Sequence, residues 1–359
     1  MRKKKRRQKT MLKILSGSFR ANSFCRSLFS EGGSLVKAGL CLVLISFSAA
    51  CKKDKTVIPT VRFMQLSAPV NGAINKMHFF DASTGFAVCD SGILLKTTNG
   101  GISWNTVSSF PIISGDLHDI QFPSATVGYI HAFDDYGNGL VYKTSDGGNT
   151  WAKLALGSGN EPDAVSCPTP LVIYCFNETY YPYKSTDGGY SWSALYSFTG
   201  HGYLSAFANK DTGYVCDYFD HEILKTTDGG STWTTLSSID FAMNIKFESS
   251  TTGYMIVGGN KPVYKTSDGG SNWWQQSIGS SETGGTLHGI DIASSGGIAV
   301  GEETIWVTKD GGETWEQRYN DKGVTIKGIT LKDVYMINDQ SAIACSSEGF
   351  FYKIEFGEK

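Results

Sequence analysis

Short runs of apolar or alternating β-formers, such as Ile93-Leu94-Leu95 and Val263-Tyr264, recur along the chain, each leading into a polar, glycine-rich turn. A second short strand follows the turn, as in Trp233-Thr234-Thr235-Leu236. This pattern predicts hairpins, in which Gly supplies positive φ and an Asp carboxylate accepts nearby backbone N–H groups. An upstream hairpin recurs too: Phe80…Gly85-Phe86-Ala87-Val88, Phe122…Gly128-Tyr129-Ile130, Phe207…Gly213-Tyr214-Val215 and Phe247…Gly253-Tyr254-Met255. Each unit therefore reads as four short antiparallel strands.

The turns are one motif repeated six times. KTTNGGISW ends at Trp104, KTSDGGNTW at Trp151, KSTDGGYSW at Trp192, KTTDGGSTW at Trp233, KTSDGGSNW at Trp273 and VTKDGGETW at Trp315. The acidic or amide positions are Asn99, Asp146, Asp187, Asp228, Asp268 and Asp310, spaced by 47, 41, 41, 40 and 42 residues. A four-stranded unit at such a period is a propeller blade. A seventh unit lies at the C-terminus, where Tyr335-Met336, Ala342–Cys345 and Phe350–Lys353 supply three strands but no box follows. The missing strand is predicted at Val61–Leu66, which would close the ring and remove two exposed sheet edges. The expected fold is all-β, a single seven-bladed β-propeller over 61–359.

Charge divides the chain in two. It holds 32 Lys+Arg and 34 Asp+Glu, a net −2. Residues 1–50 contain eleven of those bases and one acid, Glu31, so the remainder carries 21 bases and 33 acids, a net −12. An acidic body excludes non-specific nucleic-acid binding, which needs Lys and Arg against phosphates. Ala38–Ala50 is thirteen residues without a charge, too short to span a bilayer but suited to a signal-peptide core. Ser48-Ala49-Ala50-Cys51, followed by Lys52-Lys53-Asp54-Lys55, resembles a bacterial lipoprotein cleavage box. The resemblance implies cleavage before Cys51, lipidation of its thiol, a tether over 51–60 and, with Lys at 52, sorting to the outer membrane. The basic leader is long, which leaves Met11 as a second candidate start.

The box residues read as structural. Each Asp is expected to lock its own turn and each Trp to pack between blades, because one carboxylate per turn cannot supply the six to eight oxygens of a Ca²⁺ site. At these residues the chain resembles the Asp-box (bacterial neuraminidase repeat) propellers. Within them it is most similar to the photosystem II assembly and stability factor family, as in TGFAVCDSGILLKTTNGGISW (84–104) and TGYVCDYFDHEILKTTDGGSTW (212–233). The resemblance implies a propeller with an assembly-factor role, and fold alone does not define a site.

Sialidases share the box, and their family resemblance would require three arginines to clamp a carboxylate. From position 51 onward only Arg62 and Arg318 are present, so that triad cannot be assembled. Other glycoside hydrolases need two carboxylates. Acids gather in the loops between second and third strands: Asp90, Asp134, Asp135, Glu178, Asp217, Asp220, Glu222, Glu302, Glu303 and Glu348, with Tyr136, Tyr180 and Tyr218 interleaved and only His221 and Lys261 against them. No pair among them is marked as acid and base, and the same pattern fits a solvated acidic rim. His118 and His288 share a register on the first strands, with Lys76, Tyr203, Met243 and Lys332 as their counterparts, an occupancy too mixed for a metal site. No cofactor is expected. Cys89, Cys175, Cys216 and Cys345 recur near one inner-strand place, where small buried residues are wanted, and Cys167 could face Cys175 across a hairpin.

Two readings follow. One is a lipid-anchored, non-catalytic, monomeric propeller of the cell envelope that binds a protein partner, such as a basic peptide or an envelope complex. Its candidate face is Asp134, Asp135, Tyr136, Asp217, Tyr218, Asp220, Glu222, Glu302 and Glu303. The other is a glycan-binding or glycan-degrading propeller, which clustered Trp or Tyr platforms would favour; only Trp274 and Trp306 lie outside the boxes.

Overall fold

A computed structural model describes residues 60–156, 162–177, 181–217, 219–220, 222–236, 242–258, 263–278, 285–320 and 326–356. Cys51, Glu178, Tyr180, Tyr218, His221 and Lys261 lie outside them. Six consecutive antiparallel sheets follow the chain from Ile74 to Asn320, each running from an inner to an outer strand. Blade 1 spans Ile74–Phe79, Gly85–Cys89, Leu94–Thr97 and Asn105–Thr106. Blade 4 spans Gly202–Phe207, Gly213–Asp217, Ile223–Thr226 and Thr234–Leu236. Blade 3 has the shortest inner strand of the ring, Ala164–Ser166. The only helical segment described is the 3₁₀ turn Asp90–Gly92.

The seventh blade is shared between the two ends of the propeller. Leu331–Asn338, Ser341–Ser346 and Phe351–Glu355 provide its inner three strands, and Thr60–Leu66 is the fourth, pairing Phe63 with Ile354 and Gln65 with Tyr352. The predicted closure is therefore present, and it reaches further than the sequence indicated. Thr60 and Val61 also pair in parallel with Tyr319 and Asn320 on the outer strand of blade 6, so blades 6 and 7 share one continuous sheet.

The boxes build as their residues dictate. In blade 2 the Asp146 carboxylate accepts the Thr150 N–H at 2.8 Å and hydroxyls from Thr144 and Thr150, while Gly148 N–H donates to Thr144 Oγ1. Asn99 holds the same turn in blade 1 with its amide oxygen, accepting the Ser103 N–H at 3.0 Å. Both Gly of every box have positive φ, 69° and 79° at Gly100 and Gly101, a region where a side chain would be strained. The first box Gly donates its N–H to the turn between first and second strands of its own blade, as Gly147 does to Thr126 and Gly229 to Asp211. Box turns and first-to-second turns consequently share one face, and the second-to-third loops and inter-blade links share the other.

The core lies between blades. Trp104 of blade 1 stacks on Phe351 of blade 7, with ring centroids 4.3 Å apart. Trp233 meets Phe176 and Phe198 edge-on, and Trp273 meets Tyr214 of the preceding blade. Trp315 is almost fully buried beside Tyr254 and Ile256, and Trp192 packs against the cluster holding Tyr129 and Val141. Trp151 is buried against Phe110 and Phe122. Burial of such aromatics is the largest single source of apolar area per residue.

Two further ties join neighbouring blades. The second-strand tyrosines donate to the next blade, Tyr129 to Pro170 O, Tyr174 to Lys210 O and Tyr254 to Gly311 O. The Lys that opens each of four boxes does the same: Lys143 Nζ to Gly188 O, Lys184 Nζ to Gly229 O, Lys225 Nζ to Gly269 O and Lys265 Nζ to Gly311 O, at 2.8–3.2 Å. Each ammonium lies over the ring of its own blade's tyrosine, Lys184 5.0 Å from Tyr174. All five described cysteines, Cys89, Cys167, Cys175, Cys216 and Cys345, are buried free thiols, and Cys175 pairs across its hairpin with Val165 rather than Cys167.

The candidate binding face

Inner strands set the mouth of the central channel. In blades 1, 2, 4, 5, 6 and 7 a register shift inserts one extra residue near the start of the first strand. The inserted residues are Asn75, His118, Tyr203, Met243, His288 and Lys332. The blade 1 counterpart of His118 is thus Asn75 and not Lys76, because the bulge displaces the pairing by one. Asn75 Nδ2 donates to Leu117 O, Tyr203 Oη to Ala242 O and Asn244 Nδ2 to His288 O, so these residues stitch inner strands together. Among the described residues no group of three His, Cys, Asp or Glu side chains is placed to hold a metal ion. Burial pushes His78 and His131 down to about 4, leaving both neutral in ordinary buffers.

The described acids among those predicted between second and third strands stand there, but several serve the loops themselves. Asp217 is 2 % exposed. Its carboxylate accepts the N–H groups of His201, Phe219 and Asp220 at 2.6–2.9 Å. Burial raises the Asp217 carboxyl, yet those donors outweigh it and hold the group below the ordinary range. Asp134 accepts the Asn138 amide and the N–H groups of Asn138 and Tyr136, which hold it low as well. Asp90 accepts from Ala73 N–H and Asn75 Nδ2. Glu303, with φ 51°, accepts the Gly328 N–H, and its own N–H donates to Ile329 O, fixing the link into blade 7. Glu302 pairs through its backbone with Thr330, its carboxylate 3.8 Å from His288 Nε2. Glu348 accepts from Thr330 N–H and Ser347 Oγ. Glu222 accepts the Thr235 hydroxyl at 3.2 Å. Asp135, Asp220 and Glu222 remain exposed, and Tyr136 is 90 % exposed.

Large apolar side chains left in solvent favour this face. Ile112 on the link after blade 1, Tyr136, Tyr181, Tyr196, Phe219 and Phe350 lie on it, against Ile102, Leu171 and Tyr190 on the box face. Tyr181 and Tyr196 meet edge-to-face with centroids 5.0 Å apart, and Phe219 meets His201 at 4.7 Å. The acid pattern in the sequence marked the loops, whereas Tyr181, Tyr196, Phe219 and Ile112 were missed; their signal was a large apolar residue between the strands. Trp306 is buried in a blade interface and Trp274 is exposed on an outer strand, so neither adds to the face. Arg62 pairs with Glu355 and Arg318 with Glu316.

These features define an Asp-box seven-bladed β-propeller whose repeated residues hold blades together and whose loops form an acidic, aromatic face. The model of the family "Photosynthesis system II assembly factor YCF48" matches residues 56–201 and 235–354, and the chain belongs to that family. None of the curated proteins matches the chain. Among solved structures it is similar to "YCF48 bound to D1 peptide", with 17 % identity, 84 % of this chain and 98 % of that one covered, and a TM-score of 0.62. YCF48 from Cyanidioschyzon merolae is similar at 18 % identity over 82 % of this chain and 98 % of that one, TM-score 0.62. The GH74 enzyme of Niastella koreensis is similar at 16 % identity over 81 % of this chain and 53 % of that one, TM-score 0.62. At these identities the likenesses speak for the fold.

Proposed function

We propose that this protein is a lipid-anchored, non-catalytic scaffold of the cell envelope that holds a protein partner, a basic peptide or part of an envelope complex, on the face of its second-to-third-strand loops. The observation that carries the reading is the placement of exposed aromatic and aliphatic side chains on that face beside Asp135, Asp220 and Glu222. Large apolar side chains left exposed together on one face mark an interaction site. Membership of an assembly-factor family supports a partner that is a protein, and a relative solved with a bound peptide supports a linear segment. The leader and Cys51 support the anchor. Palmitate labelling of the wild type but not of Cys51→Ser tests the anchor. Capture of a partner from the native envelope by the mature chain tests the scaffold.

The Tyr181–Tyr196 pair favours one second reading, a glycan platform, since sugars stack on such rings. Binding of neutral oligosaccharides to the mature chain, abolished by Tyr196→Ser, would select it.

A further inference from the structure

The loop face is not used evenly around the ring. The described residues that form this face in blades 2, 3 and 4, namely 134–138, 154–156, 162–163, 177, 181–182, 195–201, 217, 219–220 and 222, contain six acids and no Lys or Arg. The described residues of the corresponding segments in blades 5 and 6, 258, 285–286, 302–303 and 326–330, hold Lys327 with Glu302 and Glu303. Exposed aromatics follow the same division. Tyr136 is 90 %, Tyr196 73 % and Phe219 60 % exposed, all in blades 2 to 4 or their links, while blades 5 and 6 contribute no large exposed apolar residue to this face among the described residues. Glu302 and Glu303 of blade 6 are exposed on this face as well, Glu303 accepting the Gly328 N–H and the Glu302 carboxylate lying 3.8 Å from His288 Nε2.

Resting on the scaffold reading, we infer that the partner segment is cationic and lies over blades 2 to 4 only, its Lys or Arg side chains resting on Tyr136, Tyr196 and Phe219 with Asp135, Asp220 and Glu222 beside them. Aromatic faces next to carboxylates attract ammonium and guanidinium groups through the ring quadrupole and the charge together, Arg more than Lys because its plane also stacks. The molecule already uses this contact internally, where Lys143, Lys184, Lys225 and Lys265 lie over tyrosine rings at 5.0–5.9 Å. Unbalanced acid over one half of the face would steer such a segment to it and keep acidic segments away.

A fluorescent peptide alternating Arg and Leu, and a twin with Glu in place of Arg, test this on the mature chain by anisotropy. The Arg peptide should bind, weaken with added salt, and lose about tenfold or more in affinity on Tyr136→Ser/Tyr196→Ser/Phe219→Ser, as centrally placed aromatic anchors do. Ile102→Ser/Tyr190→Ser on the box face should leave binding unchanged, with unchanged thermal unfolding confirming that both variants fold. Equal binding of the Glu twin, or undiminished binding by the loop-face variant, would overturn the inference. If the loop-face variant still captures the native partner, the sector is wrong while the scaffold stands; if the wild type captures none, both fail.

Discussion

The Asp333 carboxylate accepts the backbone N–H of Met77 at 2.9 Å, joining residues 256 positions apart across the seam between the last blade and the first. Its other oxygen lies 3.3 Å from Lys76 Nζ. Burial alone would lower the Lys76 ammonium, but Asp333 and Asp119 outweigh it and raise the group. One blade earlier Asp291 likewise accepts a backbone N–H of the next blade, that of Met336, while its Lys246 partner stands on the preceding blade. Asp333→Ala leaves a buried N–H and an ammonium without their acceptor, so it should cost about 3 kcal/mol in a denaturant titration. Because the seam closes the whole ring, the loss should shift a single transition. A separate early transition would show that the blades unfold independently.

Truncating a box tryptophan should cost according to its burial. Trp315 is 1 % exposed and donates Nε1–H to Gly312 O at 3.1 Å, whereas Trp192 is only partly buried. Trp315→Ala should lose about 3–5 kcal/mol, and Trp192→Ala measurably less. Equal losses would mean that the repeat, rather than the local packing, sets the cost.

The box lysines give a second stability test. Lys184→Met keeps the apolar stem over Tyr174 but removes the bond to Gly229 O, and about 1 kcal/mol should go with it. An unchanged unfolding midpoint would show that the ammonium contributes nothing between blades 3 and 4.

The box carboxylates predict a pH window. The Thr150 hydroxyl and N–H hold Asp146 down at about 2, and the Thr232 hydroxyl and N–H do the same for Asp228. A carboxyl depressed in the folded state adds stability that is complete above its unfolded value near ~4 and is lost as pH falls through the folded value. Compared with Asp146→Asn, which copies the natural Asn99 turn, the wild type should hold its full relative stability above about pH 4 and lose it towards pH 2. A difference independent of pH across that interval would remove the charge from the explanation.

The architecture was legible because it is written as a repeat. Six boxes at a near-constant period gave the blade, and an orphan strand at one end matched a missing strand at the other. The contacts within the site were harder to read, for physical reasons. A bulge is a property of two paired strands, so Asn75 rather than Lys76 occupies the channel position and nothing in the local sequence marks the shift. An acid in a loop faces solvent or caps its own turn depending on backbone direction, which is why Asp217 is buried while Asp220 three residues on is exposed. The repeated lysine was visible in five of the six motifs but its role was not, since the acceptors of Lys143, Lys184, Lys225 and Lys265 belong to the next blade.

The most direct test of a partner-holding loop face is photocrosslinking in the native envelope from single positions on the two faces. A benzophenone side chain placed at Tyr136 or Phe219 should crosslink to one and the same protein, and the same probe at Ile102 or Tyr190 on the box face should not. Crosslinks from Ile102 or Tyr190 to that protein, with none from Tyr136 or Phe219, would contradict the account.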